Sequence, residues 1–277
     1  MLDYNSIGGE TLLENLYGVL KVFFTLFTRY IFLSGIILLF FYVWFKQNFK
    51  PNKIQDKYPS FKSILFEFRY STLSLIVFSL MITFLFLLRK NGYTQIYVNI
   101  SEMGYGYFLF STVFLILAHD TYFYWMHRAI HHPKLFNLFH KVHHESYNPT
   151  PMATFSFHPF EAFTEFLFII LMSLLLPLNP LAIAIFSLWS ILFNVAGHLG
   201  FEFFPSGFTQ HPFWKWMNTS THHNLHHQKS NRNFGIYFNF WDRIMKTNHK
   251  KYHEYFESVK AKSNNDSLPV NGSLKNS

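Results

Sequence analysis

The chain has 277 residues, enough for one large domain, and no linker divides it. Half of its residues are hydrophobic, 21% are aromatic and only 14% are charged. That balance points to lipid as the solvent, so the net charge of +8 reads as basic loops beside anionic headgroups rather than a nucleic-acid surface. The absence of cysteine excludes disulfides, iron–sulfur clusters, thiolate zinc sites and a cysteine nucleophile, and leaves His, Asp and Glu as metal ligands.

The N-terminus is acidic, lacks the basic-then-apolar order of a signal peptide, and reads as an amphipathic lead-in to a membrane helix. Residues 22–45 form an apolar run interrupted by Arg29, which the run places near its start, where a long side chain can snorkel. Residues 46–69 read as a polar loop with six basic and two acidic residues. Residues 70–88 form a second span and residues 105–126 a third apolar run that reaches His119 and Asp120. Residues 162–176 and 181–197 are two apolar halves around Pro177-Leu-Asn-Pro180. They read as a helical hairpin that enters the membrane and returns. The positive-inside rule places residues 46–69 in the cytoplasm, and counting spans brings both histidine-rich blocks to that side, although Arg89 and Lys90 on the opposite side dissent. The expected fold is all-α: an integral membrane helical bundle with a cytoplasmic histidine-rich helical cap holding a di-metal site. Residues 1–104 form an N-terminal region with two transmembrane helices, 105–257 a catalytic domain that includes the hairpin, and 258–277 a disordered tail.

Residues 119–144 hold seven of the sixteen histidines. Two spacings recur: His127-x3-His131, and His140-x2-His143-His144, echoed by His223-x2-His226-His227. On an α-helix, positions i, i+3 and i+4 share a face, so each pattern aims two or three imidazoles at one point. A lone pattern of this kind is weak evidence; three in one membrane protein, all on one side, point to metal. Eight imidazoles exceed the needs of one four- to six-coordinate ion, so two ions fit better, with iron, zinc and copper all compatible with neutral nitrogen ligands.

The run HDTYFYWMHRAIHHPKLFNLFHKVHHES, followed by SFHPFE, NVAGHLGFE, HHNLHH and NFGIYFNFWDRIMKT, resembles the fatty acid hydroxylase/sterol desaturase superfamily, and is closer to its sterol desaturase-like branch. The likeness covers residues 118–247, about half the chain. It implies a membrane-embedded non-haem di-iron oxygenase. Such an enzyme uses O2 and electrons from a separate carrier, such as cytochrome b5 or ferredoxin with its reductase, to hydroxylate or desaturate a C–H bond of a sterol-like or acyl/alkyl lipid. No haem, flavin or dinucleotide motif is visible in the chain itself.

By the same resemblance the eight motif histidines, His127, His131, His140, His143, His144, His223, His226 and His227, are metal ligands together with His198. His158, in the His-Pro-x-Glu element, and His222 are further candidates. Asn194 stands where the fatty acid 2-hydroxylase branch has a histidine, which suits holding a water or a position behind the ligands. Asp120, two helical turns before His127, and Asp242 are expected to accept an imidazole N–H. His119 reads as a core or interface residue, and Glu161 and Glu165 as helix-start carboxylates. The alternative function is a membrane metal-binding or metal-transport protein without redox catalysis. It would need ionisable residues along a path across the bilayer, and the first two spans offer almost none beyond Arg29. A zinc hydrolase would need the general base of HExxH, which is absent.

Overall fold

The computed structural model describes residues 11–267. The first ten residues of the acidic lead-in and the last ten of the expected tail lie outside the described residues. The fold is helical throughout; pairing of extended backbone among the described residues is limited to three isolated bridges.

Helix α1 (Leu12–Tyr30) starts at a capping box, in which the Thr11 hydroxyl accepts from the Glu14 N–H and Glu14 accepts from the Thr11 N–H. The rod continues through π turns at Ile31–Gly35 and Phe40–Trp44, giving an apolar span of 32 residues, Leu13–Trp44. Arg29 therefore lies midway along the span rather than near its start.

Helix α2 (Phe61–Lys90) begins nine residues earlier than the apolar run suggests, inside the segment read as a loop. Ser60 caps it by accepting from the Ser63 N–H. The reason for the early start is a buried polar stripe at Glu67, Ser71 and Ser74, one helical face at i, i+4 and i+7. Against this stripe lies a tight turn, Pro151–Phe155, pressed between α1 and α2. Ser71 Oγ and Tyr30 Oη both donate to the Met152 carbonyl (2.7 and 2.8 Å), and Ser74 Oγ donates to that of Phe157 (3.3 Å). The Glu67 carboxylate accepts from the Thr150 N–H and hydroxyl. A buried loop carries backbone groups that must find partners, and the stripe supplies them.

Helix α3 (Gly104–Ile130) runs to the first histidine motif. The short helices α4 (Pro133–Phe139) and α5 (Lys141–His144) carry the second. Helices α6 (Pro159–Leu175) and α7 (Pro180–Gly197) are the expected pair of apolar arms, each with proline in its first turn, where the missing N–H costs nothing. The packing of Leu115, Phe168, Ile169, Leu178 and Phe186 ties α3 to both arms. Helix α8 (Ser220–Lys229) carries the third motif, α9 (Phe240–Ile244) the Trp-Asp-Arg element, and α10 (Tyr252–Ser267) closes the chain. Residues 258–267, expected as tail, are thus helical: Phe256 and Val259 are buried and hold α10 against the cap.

Among the described residues three helices are long and apolar enough to cross a membrane: Leu13–Trp44, Phe61–Lys90 and Pro180–Gly197. The protein is an integral membrane protein. The polar segment between α1 and α2 packs on the histidine end. The Gln55 side-chain amide donates to Asn224 Oδ1 and to the Tyr147 carbonyl, both at 3.0 Å. Lys53 is buried among the rings of Tyr42, Tyr58 and Phe201 and donates to the Gly200 carbonyl at 3.2 Å; burial lowers its pKa to about 8. Gly200 has a φ of +75°, and a Cβ there would meet Tyr42 Oη, with Lys53 Nζ at 3.2 Å. Gly200→Ala is therefore expected to destabilise the fold by about 1–3 kcal/mol, read as a lower thermal midpoint in detergent. An unchanged midpoint would mean that this junction is looser than described.

Candidate metal centre

The C-terminal ends of α3 and α7, the N-terminal end of α6 and the cap helices α5 and α8 meet at one place. Nine histidines converge there in two groups. One group is His127, His131, His140, His144 and His226; the other is His143, His198, His223 and His227. Within each group one nitrogen per ring lies within 4.8 Å of all the others.

The closest approaches are all between Nε2 atoms. In the first group His127 and His140 stand 2.8 Å apart, His144 and His226 3.0 Å, His131 and His226 3.2 Å, and His144 and His131 3.3 Å. In the second, His198 and His223 are 3.0 Å apart, His223 and His227 3.1 Å, His198 and His227 3.3 Å, and His143 and His198 3.4 Å. At a metal–nitrogen distance of about 2.1 Å, neighbouring ligands at 90–110° stand roughly 3.0–3.4 Å apart. All of the observed spacings but the 2.8 Å between His127 and His140 fall in that range.

The opposite ring nitrogens explain why Nε2 is the converging atom. Nδ1 of His127 donates to the Phe234 carbonyl (2.8 Å), that of His198 to the Asn194 carbonyl (2.8 Å), that of His226 to the Arg232 carbonyl (2.7 Å) and that of His143 to the Ser156 carbonyl (3.3 Å). His140 Nδ1 donates to Glu161 Oε1 at 2.6 Å, and His144 Nδ1 pairs with Ser230 Oγ at 3.0 Å. A carbonyl or carboxylate only accepts, so Nδ1 carries the proton and the Nε2 lone pair faces the centre. This is the tautomer a metal-binding histidine needs. Several lone pairs aimed at one point repel one another unless a cation lies between them, so the donor set fits a metal in each group.

The imidazoles of His140, His143, His144, His223, His226 and His227 are held well below the usual histidine range, by burial first and by the neighbouring imidazoles second. They stay neutral at neutral pH, as ligands must. Unfolding frees them to protonate below about pH 6.5, so in acid the unfolded chain binds more protons than the folded one. Stability is therefore expected to be full above that pH and to fall as the pH drops below it. Thermal midpoints in detergent at pH 7.5, 6.5 and 5.5 measure this; a midpoint that does not fall below pH 6.5 would contradict it.

The other candidates lie outside the two groups. His158 caps α6, its ring accepting from the Phe160 N–H, and is half-buried away from the converging nitrogens. His222 is buried against the Tyr252 ring, 3.8 Å from Asp242. His119 packs among Phe168, Phe186 and Tyr237, a core position as expected.

Asp120 does not meet an imidazole. Its Oδ1 accepts from the N–H groups of Tyr237 and Phe238 (3.0 and 3.1 Å). Seven residues on a helix advance about 10 Å, so sharing a face with His127 does not bring the two side chains together. Asp242 also acts on backbone: it accepts from the N–H groups of Phe234 and Gly235 (2.9 and 2.8 Å) and from the Thr247 hydroxyl (2.7 Å). Since the Phe234 carbonyl holds His127, Asp242 steadies that imidazole through one peptide unit. Asn194 holds His198 with its carbonyl, not its side chain.

Among the described residues the carboxylate hydrogen-bonded to one of the nine converging imidazoles is Glu161, 1% exposed, which the sequence suggested only as a helix-start residue. Its three-residue spacing from His158 in the His-Pro-x-Glu element was the available signal. The histidines open on a cavity of about 310 Å³ lined also by Phe123, Phe157 and Asn194.

Comparison with known proteins agrees with this geometry. A model of the fatty acid hydroxylase family matches residues 112–247. Human lathosterol oxidase is 30% identical over 212 residues, covering 75% of this chain and 69% of that protein. Rat lathosterol oxidase is 30% identical over 87% of this chain and 82% of its own length. A Delta(7)-sterol 5(6)-desaturase of Gibberella zeae is 30% identical over 56% of this chain and 48% of its own. No solved structure matches. The chain belongs to the fatty acid hydroxylase family, in its sterol desaturase-like branch.

Proposed function

We propose that the protein is an oxidoreductase that uses O2 to hydroxylate or desaturate a C–H bond of a membrane lipid, sterol-like or acyl/alkyl, at two iron ions held by the nine histidines. The observation that carries this reading is the convergence of nine Nε2 atoms in groups of five and four, with six of the opposite nitrogens held by acceptors or a hydroxyl. Iron bound there supplies the means of reducing O2 and oxidising a C–H bond.

The protein's own part is positional. The groups of five and four ligands fix where each metal sits, and His143 and His144, adjacent on α5, join the two groups. Phe123 and Phe157 give the adjoining cavity apolar walls that exclude water from the reacting carbon. Electrons come from a separate carrier of the cytochrome b5 or ferredoxin type with its reductase. The site faces the cytoplasm: the basic segment 46–60 packs on the histidine end, and basic segments stay on that side. The chain crosses the bilayer several times.

Lipid extracts from cells with and without the protein test the function. The expected result is a new hydroxyl or double bond in one lipid class under air and none under anoxia. No changed lipid in aerated cells containing iron-loaded protein would instead favour a metal-binding protein without redox catalysis.

A further inference from the structure

A second cavity of about 330 Å³ lies among α1, α2, α6 and α7. It adjoins the histidine cavity, since Phe157, Asn194 and Ile236 line both. Its walls are apolar for the most part, yet Arg29 and Arg89 also line it. Glu165 lines it too, beside His119 at 3.9 Å.

Arg29 is the informative residue. It stands midway along a membrane-spanning helix, where charge is expensive and marks a substrate path when it faces a cavity. Its Nη1 donates to Ser187 Oγ on α7 at 2.8 Å, and its buried Nε has no acceptor. Among the described residues no carboxylate lies within 4 Å of it, Glu165 included. A guanidinium offers five N–H donors in a fork shaped for carboxylate or phosphate, and one serine hydroxyl leaves most of that capacity unused. Ser187 and His198 are eleven residues apart on α7, about 16 Å along the axis at 1.5 Å per residue.

We infer that Arg29, supported by Ser187, binds the anionic oxygen headgroup of the substrate, a carboxylate or a phosphate. The hydrocarbon part lies along this cavity and passes Asn194 to reach the histidines. The inference rests on the lipid-oxidation reading above and narrows it. At roughly 1.5 Å per C–C bond, shortened by the zigzag, the separation corresponds to about a dozen carbons between headgroup and oxidised carbon. A substrate oxidised within a few bonds of its polar group cannot reach both ends.

The test is competition binding on the purified full chain in detergent, with radiolabelled palmitate as the probe. Unlabelled palmitate, hexadecyl phosphate, hexadecanol and lathosterol serve as competitors. Palmitate or hexadecyl phosphate is expected to displace the probe at least tenfold better than hexadecanol or lathosterol, and whichever is better names the headgroup. Arg29→Met should weaken the preferred anion at least tenfold and leave hexadecanol unchanged; Ser187→Ala should weaken it severalfold. Hexadecanol or lathosterol competing as well as the anions would overturn the inference, and this arm uses the wild-type chain, so it stands even if Arg29→Met does not fold. Anion affinity within twofold of wild type in folded Arg29→Met would overturn it as well. Iron content of the same samples separates the two claims: anion preference without iron sinks the oxidation reading alone, and iron without anion preference sinks this one alone.

Discussion

His143→Ala is expected to lower the iron bound per purified chain from about two to about one and to reduce lipid oxidation to below about 1% of wild type. His143 belongs to the group of four, and its Nε2 stands 3.4 Å from that of His198. Its loss leaves three nitrogens, too few to close a tetrahedral site. His226→Ala acts on the group of five and leaves four nitrogens, so iron in that variant should be weakened rather than abolished, while oxidation falls as far. The two variants thus differ in metal retention and agree in activity. Elemental analysis of detergent-purified protein, paired with product measurement in cells, reads both. Full metal content in both variants would remove the basis for the ligand assignment.

Glu161→Ala is expected to weaken metal binding or activity by about 10–100-fold, and Glu161→Gln by about tenfold, although neither change touches a nitrogen that faces a metal. The buried Glu161 carboxylate accepts a hydrogen bond from His140 Nδ1 at 2.6 Å. A negative charge there raises the electron density at Nε2 and fixes the ring. Glutamine keeps an acceptor and loses the charge; alanine loses both. The measurement is metal affinity by competition with a chelator, with the circular dichroism spectrum of each variant as a check on folding. Affinity within twofold of wild type in a folded Glu161→Ala would show that the contact holds the helices together and does not tune the ligand.

The histidines that converge were legible in part because helical periodicity converts spacing into a shared face. That rule holds for His127-x3-His131, which stay in one group, but each HxxHH pattern is split: His140 and His144 join His226, while His143 joins His223 and His227, so the patterns bridge the two groups rather than aim at one point. His198 came from the family resemblance, since a lone histidine at a helix end has no spacing of its own. The nitrogens' partners were not legible. Four of the six Nδ1 acceptors or partners are backbone carbonyls, at Ser156, Asn194, Arg232 and Phe234, and a carbonyl leaves no mark in a sequence. Glu161 sits at the start of α6, where a carboxylate also suits the helix dipole, and that simpler role concealed its contact with His140.

The membrane helices show the same limit. Charge density marked residues 46–69 as loop, but Glu67, Ser71 and Ser74 form a face that becomes visible only once the turn at Pro151–Phe155 is packed on it. Arg29 looked like an interface residue because the apolar run was counted from residue 22; α1 begins ten residues earlier and moves it to mid-span.

Iron content of the wild-type chain, purified in mild detergent without added chelator, tests the central claim most directly. The account predicts about two irons per chain, with one lost and the other weakened when His143 and His226 are replaced together. Iron at trace level after expression in iron-replete cells, or zinc filling the site while the lipid product still forms, would contradict it.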